Sequence, residues 1–224
     1  MNQQETNSAS GTTGDSSVVF DGQPVLKFRD EAGRRNFIKV AALVGAGSTL
    51  VAATSKDKTA FADASASDLE ILNYALTLEY LEAEFYTRGV KSGILKGRAL
   101  ELVSPIRDHE QEHVTTVTQV VKDLGGKPAT KPGFQFPAGT FSSKDKFLAT
   151  ASAFEELGVT AYHGQVPRIK DADILKSAAA IAGVESRHAA IVADLMGGDP
   201  FPSSFEKHMT MAQVLKAAGP FIKS

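Results

Sequence analysis

The sequence contains no cysteine, which excludes disulfide bonds, thiolate metal sites and lipid attachment through cysteine. It also lacks a charge excess, since 24 Lys and Arg against 26 Asp and Glu give a formal net charge of −2. Such a composition offers no basic stripe for a phosphate backbone, so a nucleic-acid partner is not expected. The absence of cysteine is compatible with a location outside the cytosol. With 224 residues, the chain is long enough for one domain with a substantial core.

Residues 1–62 have the features of a leader. The N-terminal part, to residue 33, is rich in Ser, Thr, Gly, Asn and Gln and has few large apolar residues, so we expect it to be disordered. The pair Arg34-Arg35 then precedes an apolar run, Val40–Ala53, which is too short to span a bilayer as an ordinary helix. This arrangement resembles a twin-arginine export signal. The resemblance implies that the twin-arginine export machinery is a partner and that the destination is periplasmic or extracellular.

A cleavage pattern follows the apolar run. Small residues flank Phe61 at Ala60 and Ala62, which places the predicted mature start near Asp63. An uncleaved membrane anchor is the alternative interpretation.

Two matched motifs dominate the rest of the chain. Each Glu-x-x-His places a carboxylate and an imidazole about one helical turn apart, so both side chains can bind one metal ion. Each half of the chain also carries a Glu followed seven residues later by a Tyr. The nearly constant offsets indicate a duplicated helix pair. The matched positions are Glu79 and Glu155 (76 residues apart), Tyr86 and Tyr162 (76), Glu110 and Glu185 (75), and His113 and His188 (75).

Apolar residues at helical spacing predict four long helices, and in each the Glu occupies a position that a core leucine would otherwise fill. An N-cap signal at Ser67-Asp68 precedes the first helix, which is expected to end near Arg88, and Ser104-Pro105 is expected to open or re-register the second. The third and fourth helices are predicted to begin near Ser143 and Asp171.

The connection between the second and third helices is long. Residues 125–143 contain Pro128, Pro132 and Pro137 and cannot be helical. If these two helices are parallel with their ligands level, the connection must cover ~40 Å, which a segment of this length can do and an antiparallel hairpin would not need. Phe134, Phe136 and Phe141 are expected to attach it to the bundle. After residue 198 a tail with a short helix near residues 210–218 is expected to cover one end of the bundle.

One Glu from each of two helices plus Glu-x-x-His from each of the other two resembles the ligand set of the ferritin-like di-metal carboxylate superfamily. The resemblance covers about residues 68–198, and the run Leu72–Tyr86 is most similar to an exported branch related to desiccation-associated proteins. It implies an all-α fold: a ferritin-like four-helix bundle over residues 63–198 with a long crossover between helices two and three. Residues 199–224 would be a tail with a short C-terminal helix.

The negative charge of the four glutamates indicates that this bundle binds metal ions. Four carboxylates in one apolar seam would repel one another, and two divalent cations would cancel their charge. Oxygen and nitrogen ligands without thiolates favour Fe or Mn over structural Zn. In the roles implied by the resemblance, Glu110 and Glu185 bridge the ions, His113 and His188 bind one ion each, and Glu79 and Glu155 are terminal ligands.

Several nearby residues have weaker support. Glu82 lies on the neighbouring stripe, but its duplicated counterpart is Gly158, so the duplication favours Glu79 as the ligand. Tyr86 and Tyr162 are either core aromatics or hydrogen-bond donors to a ligand on a neighbouring helix, because a tyrosine two turns along is ~10.5 Å from the Glu of its own helix. Three other histidines have no duplicated partner and are interpreted as surface or packing residues: His109, His163 and His208.

The leading functional hypothesis is an exported di-metal oxidoreductase that handles peroxide or dioxygen, or that oxidises Fe(II). One alternative is a subunit of an iron-storage cage. The other is a non-catalytic stress protein that protects against desiccation. The sequence leaves the oligomeric state open, a homodimer included.

Overall fold

The computed structural model describes residues 66–223. Over this range the chain forms four long α-helices, a short fifth helix and one 3-10 turn, with no strand, so the predicted all-α fold is confirmed. The predicted leader, twin-arginine signal and cleavage site lie outside the described residues. No helix in the described part of the chain is long and apolar enough to cross a membrane. The helices are α1 (Ala66–Ser92), α2 (Gly97–Asp123), α3 (Lys144–Gln165), α4 (Ala172–Leu195) and α5 (Met211–Ala218), followed by a 3-10 turn at Gly219–Phe221.

Local capping chemistry explains where α3, α4 and α5 begin. The Ser143 side chain accepts a hydrogen bond from the backbone of Lys146, and Asp171 accepts from the backbone of Asp173 and Ile174. Thr210 forms a capping box at the start of α5. These side chains satisfy backbone donors that have no partner within the first helical turn. The predicted starts of α3, α4 and α5 are therefore confirmed.

Ser104-Pro105 was expected to open or re-register α2, and the first alternative is wrong, because the helix begins at Gly97 and contains Pro105 in its interior. The proline is exposed, so the helix carbonyl that loses its amide donor lies on the solvent side and can bond to water. On the opposite face, Ala99 and Val103 are buried and carry the apolar stripe past the proline. Burial of this face outweighs the lost backbone hydrogen bond.

Two apolar clusters, the first around Phe85 and the second around Leu76, show in which direction each helix runs. α1 contacts α2 most extensively and α3 contacts α4, while α1 also packs on α3 and α2 on α4. In α2 and α3, residues of the first cluster precede the Glu (Val103 and Phe147), and residues of the second follow it (Val120 and Tyr162). In α4 the order is reversed, since Ile174 belongs to the second cluster and Val192 to the first. Helices α2 and α3 are therefore parallel.

The crossover at residues 124–143 follows α1. Asn73 near the start of α1 accepts a hydrogen bond from the backbone of Ala129, at 2.6 Å, and Glu84 binds the Lys131 ammonium at 2.7 Å. Farther along, Phe136 and Phe141 pack on Phe85 with ring centroids 5.6 and 5.8 Å apart. The predicted long crossover, attached by aromatic side chains, is thus confirmed.

The tail lies along the side of α3, so the expectation that it covers one end of the bundle is wrong. The backbone of Met209 donates to the Thr160 carbonyl, and a β-carbon at Gly164 would lie 1.8 Å from the Met209 carbonyl oxygen. Only glycine permits this approach of two backbones. Near the middle of α3, Phe221 packs on Phe154 with ring centroids 4.7 Å apart. The short segments around residues 134 and 222 then form a β-bridge between crossover and tail.

The aromatic cluster around Phe85 is expected to contribute strongly to the stability of the bundle. Phe85 is fully buried and its ring contacts those of Tyr86, Phe136, Phe147 and Phe154. Phe85→Ala should lower the free energy of unfolding by about 3–5 kcal/mol, because it leaves a cavity among side chains that cannot collapse into it. Chemical denaturation of the metal-free protein measures this change.

Phe201→Ala is the matched control, since this phenylalanine is 81% exposed and its loss should change stability by less than about 0.5 kcal/mol. Similar losses for the two variants would contradict the assignment of the core.

Candidate metal centre

The structure brings the six predicted ligand side chains together between the two apolar clusters. The four carboxylates come from four different helices, and the two imidazoles come from α2 and α4. All are buried, and the four glutamates have no exposed surface. Each helix places its Glu within an apolar stripe, so burying the stripe also buries the charged group. These residues are Glu79, Glu110, His113, Glu155, Glu185 and His188.

The first group surrounds Nδ1 of His113. Its distances are 3.3 Å to Oε2 of Glu79, 3.4 Å to Oε2 of Glu110 and 3.1 Å to Oε1 of Glu185. The ligand atoms of these four residues all lie within 4.8 Å of one another. One metal ion between them would have three carboxylates and one imidazole as donors.

The second group repeats this arrangement around Nδ1 of His188. The distances are 2.9 Å to Oε1 of Glu110, 3.5 Å to Oε2 of Glu155 and 3.9 Å to Oε2 of Glu185. Glu110 and Glu185 belong to both groups, and each presents one oxygen to each imidazole. A carboxylate that faces two positions with its two oxygens has the geometry of a bridge between two ions.

Eight buried atoms of these side chains have no hydrogen-bond partner in the described chain. A buried polar atom without a partner costs about 1–3 kcal/mol, and more when it is charged. Bound cations would satisfy all of them at once, so the residues present fit a metal centre. The atoms are Oε2 of Glu79, both oxygens of Glu110, Nδ1 of His113, Oε2 of Glu155, both oxygens of Glu185 and Nδ1 of His188.

Two tyrosines form hydrogen bonds with Glu79 and Glu155, each from the opposite half of the bundle. The hydroxyl of Tyr86 on α1 donates to Oε1 of Glu155 on α3, and the hydroxyl of Tyr162 on α3 donates to Oε1 of Glu79 on α1. In each glutamate this leaves Oε2 directed at the imidazole of its group. The tyrosines therefore fix which carboxylate oxygen is free to bind a cation.

His109 has a role that the sequence interpretation missed. Its Nδ1 lies 2.9 Å from Nε2 of His188, and the two rings stack with centroids 5.1 Å apart. The duplication gives no support for such a role, because the second half of the chain has Val184 at the corresponding position. The available signal was its spacing of four residues from His113, which places both on nearly the same helical face. The remaining two histidines fit the packing or surface interpretation, since His163 contacts the Val159 carbonyl and His208 is exposed.

Glu82 lies beside the centre, although the duplication favoured Glu79 over it as a ligand. Its side chain is 4% exposed, and it lies one helical turn beyond Glu79 on α1. A β-carbon at Gly158 would lie 3.2 Å from both Oε1 of Glu82 and Oε2 of Glu185. The described chain thus gathers five buried carboxyl groups.

Electrostatic coupling separates the pKa values of these groups in the metal-free protein. Burial raises the pKa of Glu185 well above its ordinary range, and the charge of Glu110 raises it further. Burial also opposes ionisation of Glu110, but the imidazoles of His113 and His188 outweigh it and lower the pKa of this carboxyl to about 2. Burial disfavours charge on His188, yet Glu110 and Glu155 raise its pKa to about 10. The metal-free cluster therefore holds protons where a cation would bind.

An apolar cavity of about 40 Å³ lies near the centre, and none of the six predicted ligands lines it. Its walls include the ring of Tyr162, whose hydroxyl binds Glu79, together with Ala75, Thr116 and Ile181, each three or four residues from a predicted ligand. A cavity of this volume has room for a small molecule within one helical turn of the cluster.

A four-helix bundle that buries two linked groups of Glu and His defines a class of helical protein equipped to bind metal ions. The model of the ferritin-like domain family matches residues 67–198, which is more than half of the chain. The chain therefore belongs to the ferritin-like domain family, and the resemblance noted from the sequence is confirmed at this level. A search of curated proteins found no match.

The cluster predicts how the stability of the metal-free protein depends on pH. Glu82 and Glu185 have raised pKa values, so they destabilise the fold above about pH 4.5 and do so less as the pH falls. His188, with a pKa of about 10, contributes stability that is complete below about pH 6.5 and is lost as the pH rises to 10. The melting temperature should therefore rise from pH 9 to pH 5, and below about pH 4.5 it should fall as Glu110 becomes protonated.

Thermal melts of chelator-treated protein across this range measure the effect. Glu185→Gln removes one carboxyl whose pKa is raised, so it should flatten the rise of the melting temperature between pH 7 and pH 5. A melting temperature that increases toward alkaline pH would contradict the assigned protonation pattern.

Proposed function

We propose that this protein binds two divalent ions, Fe or Mn, and acts as an oxidoreductase on peroxide or dioxygen, or oxidises Fe(II). The observation that supports this most strongly is the set of eight buried ligand atoms without partners, arranged as two matched groups with two shared carboxylates. Ligands of this type, without thiolate, suit Fe and Mn. A structural zinc site is usually closed by four ligands, often thiolates, and does not share carboxylates between two ions.

Each residue has a defined part in this proposal. Glu110 and Glu185 would bridge the two ions, Glu79 and His113 would complete one position, and Glu155 and His188 would complete the other. Tyr86 and Tyr162 hold the terminal carboxylates in place. His109 sets the tautomer of His188, because an imidazole that offers Nδ1 to a cation carries its proton on Nε2 and donates it to a neighbour.

The chemistry requires electrons and a small substrate. Reduction of one hydrogen peroxide to two waters takes up two electrons and two protons. Fe or Mn ions held by the six ligand side chains would supply the electrons, and oxidation of a second peroxide to dioxygen, or an external reductant, would return them. The protein keeps bulk water away from the centre, since the ligand carboxylates have no exposed surface. The nearby apolar cavity has room for a molecule as small as dioxygen, although no predicted ligand lines it.

We also propose that the protein is exported by the twin-arginine route. The pair Arg34-Arg35 and the apolar run Val40–Ala53 support this. The route carries folded proteins, so the bundle would receive its metal in the cytosol before export.

Glu110→Ala tests the metal-binding part of the proposal. After anaerobic loading with Fe(II) or Mn(II) and removal of excess metal, the wild-type protein should retain about two ions per chain. The variant should retain at most one, because it loses a carboxylate that both groups share. Elemental analysis with parallel protein quantification gives the ratio, and Glu101→Ala, at an exposed position on the same helix, is the control.

The same samples test the reaction. Loaded wild-type protein should accelerate peroxide loss or oxygen-dependent Fe(II) oxidation, and loaded Glu110→Ala should not. Two retained ions without turnover would contradict the oxidoreductase and favour a non-catalytic role. A particle of hundreds of kilodaltons in sedimentation would favour storage.

A further inference from the structure

The two halves of the metal centre differ at one pair of positions. The duplication at an offset of 76 residues pairs Glu82 on α1 with Gly158 on α3, so one half has a carboxylate where the other has no side chain. The structure brings these two positions into contact. A β-carbon at Gly158 would lie 3.2 Å from Oε1 of Glu82, and the missing side chain provides the space that this carboxyl occupies.

Nothing in the described chain compensates the carboxyl of Glu82. The side chain is buried, no described residue donates a hydrogen bond to it, and no Lys or Arg pairs with it. Its carboxyl lies next to Glu185, a carboxylate that belongs to both groups, since the β-carbon position at Gly158 is 3.2 Å from an oxygen of each. A fifth buried carboxylate close to these residues adds to the repulsion among them, which a cation or a retained proton would relieve.

We propose that Glu82 is a fifth carboxylate ligand of the metal centre, admitted by the absence of a side chain at Gly158, and that the two metal positions are therefore not equivalent. This inference rests on the metal-binding part of the proposed function. Ligand charge is a main determinant of cation affinity, so the ion that Glu82 contacts is held more tightly than a symmetric site would hold it.

Glu82→Gln tests this proposal while conserving side-chain volume. The amide keeps the size of the carboxyl and its capacity to donate a hydrogen bond, so a residue that acts only by packing or hydrogen bonding would be replaced without consequence. If Glu82 is a ligand, the variant should still bind two Mn(II) ions, with at least about a tenfold loss of affinity at one position. Calorimetric titration, with free Mn(II) followed by EPR, measures both stoichiometry and affinity.

Gly158→Ala is a second test variant, in which the substitution itself should stabilise helix α3. Alanine favours an α-helix over glycine by about 1 kcal/mol, so the bundle should remain folded. The added methyl group would press on the oxygens of Glu82 and Glu185 and should weaken Mn(II) binding in the same way as Glu82→Gln. Glu156→Gln is the control, because this neighbour of Glu155 is exposed and should leave binding unchanged.

The outcomes are distinct. Unchanged affinity in Glu82→Gln, with two ions bound by the wild-type protein, would overturn the role of Glu82 and leave the proposed function intact. Weakened binding in the variant, with no turnover by the loaded wild-type protein, would support Glu82 as a ligand and contradict the oxidoreductase. A wild-type protein that binds no Mn(II) would overturn both proposals.

Discussion

The structure depends on the burial of like charges in the interior of a helical bundle. Five carboxyl groups lie in the space between two apolar clusters, and the four from the predicted ligand set have no exposed surface. Removing a carboxylate from water costs several kcal/mol in a protein interior, and neighbouring carboxylates add repulsion. The protein can meet this cost by retaining protons or by binding cations. The eight ligand atoms without hydrogen-bond partners indicate that the geometry favours cations.

The surrounding scaffold serves this arrangement. The parallel orientation of α2 and α3 requires the chain to travel the length of the bundle, and the crossover does so along α1 through contacts with Asn73, Glu84 and Phe85. Reciprocal hydrogen bonds, from Tyr86 on α1 to Glu155 on α3 and from Tyr162 on α3 to Glu79 on α1, link the two halves at the site itself. Because each tyrosine binds a glutamate of the other half, neither half completes its group of candidate ligands alone.

Much of this could be predicted from the sequence because duplication gives an internal comparison. Each ligand candidate in one half could be checked against the other, which selected six residues that the structure brings together. The same criterion rejected Glu82 and His109, since Gly158 and Val184 stand at the matching positions. Both residues owe their place to tertiary contacts with the opposite half, and spacing along one helix does not contain that information.

Two errors of the sequence interpretation also have tertiary causes. A helix start at Ser104-Pro105 follows from local capping rules, but burial of Ala99 and Val103 extends α2 past the proline. The tail lies beside α3 because the backbone of Met209 meets Gly164. A glycine in a helix has no distinctive sequence signal for such an approach.

The central claim is that the shared carboxylates hold two metal ions at the centre of the bundle. Crystals of Fe- or Mn-loaded protein, measured above and below the absorption edge of the metal, test this most directly. The account predicts two anomalous peaks about 3.5–4 Å apart, with Glu110 and Glu185 between them. A fully loaded crystal whose anomalous peaks lie only at the protein surface, with none among the six predicted ligand side chains, would contradict this claim.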